Sequence, residues 1–402
     1  MSEINRRNFL LMGGVSLASM GVSSMTAQLP SKFPVWEKGL FQVHFIYTGV
    51  AESLFLIFPD GTSMLLDCGD CPAIMRHPYD LPVPYPRKMA GEVVADYVLR
   101  VNPNGSNVDY MMVSHFHSDH VGTPNWQSCG TLMMKSRDYV RSGFGIASEK
   151  LKFARAIDRG WPNYDDPVPY TEGYDRELEH VKKLYAHLMR RDGLSVAKFE
   201  VGVLNQVKPL HESVADFSVF NICGNGKVCS PDGRMIDVTS DLVGPRGFVN
   251  ENGMSLGLLF SYGPFRFLTA GDFSCGCDHA NRKAGVEGRL AEVCGRVHVA
   301  KVNHHGHHSM PRELVAAQRA QCYVACVWDR LHMTEDTCSA LQDPKSAPPG
   351  RKVYPSSLPR GVSDSEHYIL TVYPGGHSYS ITTVDASDEA MRIKACDNFD
   401  VA

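Results

Sequence analysis

A six-residue segment, His115 to His120, constrains this chain most, because it holds three histidines and one aspartate. It follows an apolar run, residues 108–113, whose composition predicts a buried strand. A loop that leaves such a strand can turn its side chains toward one point. We therefore expect His115 and His117 to share one metal ion and Asp119 and His120 to approach a second. Zinc suits nitrogen-rich ligation best, although manganese or iron would also accept the carboxylates.

The same six residues resemble the His-x-His-x-Asp-His signature of the metallo-beta-lactamase superfamily of metallo-hydrolases. Three further stretches resemble the other motifs of that family, in its order: strands that end at Asp67 and Gly69, at Asp272, and at His304 and His305. The resemblance implies that Asp67 braces the metal loop and that Asp272 bridges two ions. It also implies a histidine ligand on the last strand and an αββα sandwich as the fold.

One position departs from the beta-lactamase branch of the family, which has a further histidine at a strand end. The corresponding strand here, Phe217 to Cys223, has no histidine, and His211 precedes it on a loop. The His304-His305-Gly306 ending and the run 252–256 are instead similar to the ComEC-like branch. In that branch the first metal is held by two histidines, the shared aspartate and water, which leaves the open position that a hydrolytic metal needs.

Histidines near the end of the metal motifs are candidates for catalysis. Alternation along a strand leaves open whether His304 or His305 binds metal, and the branch resemblance favours His305. His304 then either faces the substrate or orients a ligand. His332 follows an apolar strand, residues 322–327, and resembles a later histidine of the branch that protonates the leaving group or binds phosphate. A structural histidine is the alternative for His332. With Asp119, these two histidines make up the predicted catalytic set.

The predicted chemistry is hydrolysis by a water activated between two divalent ions, most readily zinc. Asp119 and Asp272 would position that water. The branch resemblance favours a phosphodiester or phosphoester as the bond that is cleaved. A lactonase, amidase or beta-lactamase would use the same ions on a carbonyl, and a non-catalytic metal-binding protein would keep the ligands without turnover. The sequence leaves both alternatives open.

The N-terminus predicts where this chemistry takes place. Arg6 and Arg7 precede a weakly apolar stretch, residues 11–22, and small residues up to Ala27, which is typical of a twin-arginine signal. We expect residues 1–27 to be a signal peptide that engages the twin-arginine export machinery, and a periplasmic or otherwise extracytoplasmic protein. An uncleaved anchor and a disordered N-terminus are the alternatives. No later segment approaches the length of a membrane span.

Composition predicts one hydrolase domain over residues 36–390, because 402 residues with 43% apolar content can bury a large core. The formal net charge of -4 lacks the basic excess of an extended nucleic-acid footprint, so we expect a small-molecule substrate. Twelve cysteines are many for an exported chain, so some are expected to pair, for instance Cys223 with Cys229.

Apolar patterns predict the elements of the sandwich. Strands are expected at 40–47, 53–58, 63–66, 131–134, 255–262, 265–269, 297–302 and 322–327, helices near 93–101, 282–293 and 311–320, and a closing hairpin from 367–373 and 378–384. Residues 139–196 exceed what the metal scaffold needs and combine an amphipathic helix with aromatic residues. We expect an insertion there, which either roofs the pocket as a lid or packs beside it without contacting a ligand.

Overall fold

Two β-sheets pack face to face, and helices cover the outer face of each. The computed structural model describes residues 33–71, 88–124, 138–167, 175–243, 249–274, 285–329, 331–357, 365–387 and 389–401. The strands are β1 (Phe41–Phe45), β2 (Leu54–Ile57), β3 (Ser63–Leu66), β4 (Asn107–Met112), β5 (Lys152–Asp158), β6 (Ser195–Lys198), β7 (Phe217–Gly224), β8 (Lys227–Cys229), β9 (Met235–Asp237), β10 (Gly257–Tyr262), β11 (Phe265–Thr269), β12 (Val299–Lys301), β13 (Cys322–Ala325), β14 (Lys352–Pro355), β15 (Glu366–Val372), β16 (Ser378–Asp385) and β17 (Ile393–Asp400).

Helices connect and cover these strands. The α-helices are α1 (Ala90–Val101), α2 (Ser118–Val121), α3 (Phe144–Lys150), α4 (Asp175–Asp192), α5 (Thr239–Leu242), α6 (Val286–Cys294), α7 (Arg312–Gln318) and α8 (Glu335–Leu341), and short 3-10 turns lie at Glu251–Met254, Asn303–Gly306 and Pro374–Gly376. At the start of α1 the Glu92 carboxylate accepts a hydrogen bond from the Met89 backbone N–H at 2.8 Å, which caps an otherwise unpaired donor. The helix ends just before Asn102-Pro103, where proline cannot continue it.

Both sheets are mixed. In the first, the order within the described residues is β17-β16-β15-β1-β2-β3-β4-β5-β6, and β3 to β6 run parallel. In the second, the order is β14-β13-β12-β11-β10-β7-β8-β9, and β11 to β14 run parallel. Parallel strands bury both faces, which explains why β3 and β13 read as nearly continuous apolar runs.

Three apolar layers hold the sandwich together. Between the sheets, rings such as Phe41, Phe217 and Phe260 pack with centroids 5.1 to 6.4 Å apart. Outside the first sheet, α1 and α4 contribute their buried stripes. Outside the second sheet, α6, α7 and α8 contribute Leu290, Leu314 and Leu341. Each fully buried side chain of this size stabilises the fold by roughly 1.5–3 kcal/mol. The expected αββα sandwich is confirmed.

The parallel strands also determine where a site can form. The carboxyl ends of β3 and β4 lie side by side in the first sheet, and those of β11, β12 and β13 lie side by side in the second. Because β1, β2 and β3 pair antiparallel in turn, the β1–β2 loop lies beside the carboxyl end of β3. Loops at the carboxyl ends of parallel strands are the usual place for ligands in α/β proteins.

Residues 139–196, for which an insertion is expected, contribute to the first sheet in their described part. They contain α3, β5, α4 and β6, and the two strands extend the first sheet in parallel register. The amphipathic face of α4 is buried against that sheet through Leu184, Tyr185 and Leu188. The sequence pattern had revealed the apolar face of α4 but not the short strands on either side of it. A lid role for this segment stays a prediction.

The hairpin at the end of the chain is present as β15 and β16. The domain extends past residue 390, because β17 pairs with β16 at the edge of the first sheet. Cys223 and Cys229 are both free thiols, so the suggested disulfide is wrong. The strand expected at 131–134 and the signal at 1–27 lie outside the described residues. Among the residues the structure describes, no helix has the length and apolar character that crossing a membrane requires.

Candidate metal centre

Asp67, immediately after β3, anchors the loop that carries the histidines. Its buried carboxylate accepts hydrogen bonds from the Ser114 backbone N–H at 2.7 Å and from the Ser114 hydroxyl at 2.6 Å. The same carboxylate lies 2.8 Å from His120 Nδ1. An acceptor at Nδ1 keeps the proton there and leaves the Nε2 lone pair free for a cation. The structure therefore places Asp67 where the family resemblance implies.

Backbone hydrogen bonds fasten the same loop to its neighbours. Cys68 N–H donates to the His120 carbonyl at 2.9 Å, and Glu52 N–H donates to the Asp119 carbonyl at 3.0 Å. Gly69 permits this close approach, since a Cβ atom there would lie 1.7 Å from the Asp119 carbonyl oxygen. The position of the metal loop is thus fixed by main-chain contacts as well as by Asp67.

Asp272 lies where the two halves of the site meet. It follows β11, and its Oδ2 is 3.1 Å from His305 Nε2, 3.2 Å from His120 Nε2 and 3.9 Å from His115 Nε2. Asp119 Oδ2 lies 3.2 Å from the same His305 nitrogen. Side chains from the loops after β4, β11 and β12 therefore converge on one buried point.

His117 completes the group predicted from the sequence. Its ring centroid lies 4.5 Å from that of His115, which in turn lies 4.2 Å from the ring of His120. All six predicted metal ligands are thus brought together. Of the two adjacent candidates, His305 is the one that reaches Asp272.

The donor set fits a divalent cation. The Nε2 atoms of His115, His120 and His305 are buried, and none has a hydrogen-bond partner in the described part of the chain although carboxylate oxygens lie close. Burying such atoms unpaired would be costly without a bound ion. Possible ligand atoms of Glu52, His120, Asp272 and His305 all lie within 4.8 Å of one another. Imidazole nitrogens with carboxylate oxygens are typical zinc ligands.

The electrostatics of the metal-free chain agree with this interpretation. Burial alone would lower the pKa of His305, but the nearby Asp272, Asp119 and Glu52 carboxylates raise that pKa to about 10. The pKa of His120 is likewise raised well above its usual value by Asp272, Asp119 and Asp67 against the effect of burial. The pKa of Asp272 is lowered well below its usual value, despite burial, by those two histidines. The buried carboxylates therefore favour a positive charge at the point where these side chains meet.

His304 and His332 border this cluster. His304 Nε2 lies 3.1 Å from the Asn252 amide nitrogen, and its Nδ1 lies 3.3 Å from the Ser274 hydroxyl. Burial lowers the pKa of His304 to about 4, so this imidazole is neutral near pH 7. The ring of His332 stacks on that of His305 at 4.8 Å. His332 Nδ1 accepts a hydrogen bond from the Trp328 N–H at 3.3 Å, so its Nε2 carries the proton and can donate.

Sequence reasoning missed two buried ion pairs beside the cluster. Lys301 Nζ lies 2.9 Å from Glu52 Oε2. Arg159 lies 2.9 Å and 3.0 Å from the two carboxylate oxygens of Glu251, which also accepts a hydrogen bond from the Phe116 N–H at 3.1 Å. A charged residue inside an apolar strand, as Lys301 is in residues 297–302, was the available signal for the first pair. The second pair joins distant segments and left no such signal.

His211 lies outside the site. Its Nε2 is 3.2 Å from Asp109 Oδ2, and its side chain is 42% exposed. The loop position before β7 thus does not supply the histidine that the beta-lactamase branch carries.

No protein-family model matches the chain. Over 217 residues the chain is 23% identical to ribonuclease Z from Metallosphaera sedula, a match that covers 52% of this chain and 66% of that protein. A crystal structure of zinc-bound PqqB from Methylobacterium extorquens matches with a TM-score of 0.32 and 12% identity, covering 79% of this chain and 87% of that one.

Proposed function

We propose that this chain is a metal-dependent hydrolase of the metallo-beta-lactamase superfamily that holds two divalent ions, most readily zinc. The observation that carries the proposal is the approach of three buried Nε2 atoms, none of them hydrogen-bonded within the described residues, to a single oxygen of Asp272, at 3.1 to 3.9 Å. The αββα sandwich and the sequence similarity to ribonuclease Z support it.

The ligands divide into two sets in this proposal. His115 and His117 hold one ion, whereas Asp119, His120 and His305 hold the other, and Asp272 is shared. When bound, such ions make water nucleophilic at neutral pH and withdraw charge from the bond to be cleaved. The chain's contribution is to orient these ligands, to exclude bulk water around His115 and His120, which are fully buried, and to supply proton donors.

Three residues have proposed roles beside the ions. Asp119 is 22% exposed, so its carboxylate faces both the buried cluster and the open side, where it can orient the attacking water. His332 holds a proton on Nε2 that it can donate to a departing oxygen. His304 is neutral and faces the cluster beside His305, where it can contact a substrate oxygen.

The charge of the site favours an anionic substrate. Four carboxylates lie near the cluster, those of Glu52, Asp67, Asp119 and Asp272, and Lys301, 2.9 Å from Glu52 and 3.8 Å from Asp272, balances one of these four negative charges. Two divalent cations would therefore leave an excess of about one positive charge in a low-dielectric site, which attracts anions. A phosphodiester carries one negative charge, whereas a lactone is neutral. The relative's name, ribonuclease, also denotes cleavage of RNA, which is a phosphodiester polymer.

The test compares substrates on the metal-loaded protein. We expect turnover of bis(4-nitrophenyl) phosphate to exceed that of nitrocefin and of a lactone panel. His117→Ala should reduce the turnover of the phosphodiester at least 100-fold, since removing a metal ligand removes the activated water. His211→Ala is the matched control, because His211 is a loop histidine outside the site. Turnover of the lactones alone would contradict the choice of substrate.

We also propose export through the twin-arginine route, with residues 1–27 as the signal. Support comes from Arg6 and Arg7 ahead of the weakly apolar stretch. Fusing residues 1–35 to a reporter that needs this route should give extracytoplasmic reporter activity, and replacing both arginines with lysine should abolish it. Equal reporter activity in both fusions would contradict the proposal.

A further inference from the structure

Lys301 is a fully buried ammonium group at the end of β12. Its Nζ donates to the Gly271 carbonyl at 2.8 Å and to the Val302 carbonyl at 3.2 Å, and it lies 2.9 Å from Glu52 Oε2. The two carbonyl contacts are hydrogen bonds, and the contact with Glu52 is an ion pair. Nζ is also 3.8 Å from Asp272 Oδ1. Lys301 thus hydrogen-bonds to the backbone of Gly271, the residue before Asp272. Its ammonium group also faces the carboxylate of Asp272.

Glu52 connects this lysine to a histidine of the cluster. The Glu52 side chain is 1% exposed, and its Oε2 lies 3.3 Å from His305 Nδ1. The Cys326 carbonyl lies 3.1 Å from the same nitrogen. Two acceptors therefore face the Nδ1 side of His305, while its Nε2 faces Asp272 at 3.1 Å. This is the arrangement that keeps a proton on Nδ1 and directs the Nε2 lone pair at a cation.

Stability alone does not explain a buried pair of this kind. Removing two charges from water costs several kcal/mol for each ion, and apolar residues of similar volume often stabilise a core as well or better. The pair joins the loop before β2, the end of β12 and the residue before Asp272, and each of these places bears on the cluster. Its position therefore points to a role in the site.

We propose that Glu52 and Lys301 act together as a positioning pair that orients His305 and Asp272 for the ion that these two residues share with Asp119 and His120. The inference rests on the proposed function, because it presupposes that the cluster binds metal. The pair contacts neither water nor substrate in this account. Glu52 is assigned as a brace and not as a ligand, because its Oε2 lies 2.9 Å from Lys301 Nζ and 3.3 Å from the Nδ1 side of His305, which faces away from Asp272.

The experiment is a titration of the metal-free full-length protein with cobalt(II), followed by the visible absorption of the ion and by elemental analysis. The variants are Glu52→Gln, Lys301→Met and the double variant, which removes both charges and so avoids leaving one of them buried alone. Each variant should bind the ion held by Asp119, His120 and His305 about 10–100-fold more weakly, as is typical when a residue that orients a ligand is lost. Affinity for the other ion, held by His115 and His117, should fall less, because of its ligands only the shared Asp272 is oriented by the pair.

Lys352→Met is the matched control, since Lys352 also pairs with a carboxylate, Asp397 at 2.6 Å, but away from the cluster. It should bind both ions like the wild-type protein. Unfolding curves of the metal-free variants separate a folding defect from a binding defect. If the single variants do not fold, the double variant decides, and Glu52→Asp, which keeps the charge but shortens its reach, should show an intermediate affinity.

Two results would overturn the inference. One is wild-type affinity for both ions in folded Glu52→Gln and in the double variant. The other is a changed cobalt spectrum at saturating metal in Glu52→Gln, because an altered spectrum in the fully loaded state would make Glu52 a ligand and not a brace. A wild-type protein that binds no cobalt would instead contradict the proposed function, so the two failures are distinguishable.

Discussion

Gly69→Ala tests whether close packing of two loops positions the metal ligands. A Cβ atom at residue 69 would lie 1.7 Å from the Asp119 carbonyl oxygen and 2.6 Å from the His120 nitrogen, so the backbone must move. The movement would break main-chain hydrogen bonds that now measure 2.9 to 3.0 Å, from Glu52, Cys68 and Asp70 to the metal loop. Each contributes about 1 kcal/mol, so we expect a loss of about 3 kcal/mol in the free energy of unfolding.

The assay combines urea unfolding with metal analysis of the purified variant. Gly105→Ala is the control, because a Cβ atom there meets nothing within 4 Å and only the positive φ of +62° is strained. That strain costs roughly 1–2 kcal/mol and should leave the metal content unchanged. The reasoning is refuted if Gly69→Ala is no less stable than Gly105→Ala and retains its metal.

Three further predictions concern individual side chains. Asp67→Asn should weaken zinc binding about 10–100-fold in a chelator competition, because the anionic acceptor at His120 Nδ1 is lost; unchanged affinity would show that Asp67 does not orient this ligand. Because the pKa of His305 is raised to about 10, metal binding at pH 7 should release a proton and strengthen as pH rises toward 10, and calorimetry in buffers of different ionisation heat should detect the release. The same raised pKa stabilises the metal-free fold below pH 6.5, and this contribution is lost as pH rises through about 10. His332→Gln should lower kcat by up to about 10²–10⁴-fold with unchanged metal content, and equal kcat would remove its assignment as a proton donor.

Much of the fold was accessible from the sequence because its signals are local. Apolar runs between turn residues placed β3 and β11 within the observed bounds. The strands β5 and β6 were missed, because strands with alternating exposure, such as Ser195–Lys198, carry little apolar signal. Residues 393–400 were missed for the same reason, since β17 lies at a sheet edge and is only half-buried.

In the candidate site, too, residues close in sequence could be predicted and contacts between distant residues could not. His115, His117, Asp119 and His120 are adjacent in sequence, so their spacing indicated the chemistry directly. The contact between Glu52 and Lys301 joins residues 249 positions apart and depends on the way the two sheets pack, which no local pattern encodes.

The central claim is that side chains from the loops after β4, β11 and β12 hold two divalent ions. Equilibrium dialysis of the full-length protein against zinc, followed by elemental analysis, measures this directly. We predict two ions per chain in the wild-type protein and in His211→Ala, and one in His117→Ala. A wild-type protein that retains no zinc, or a His117→Ala variant that retains as much as the wild type, would contradict the account.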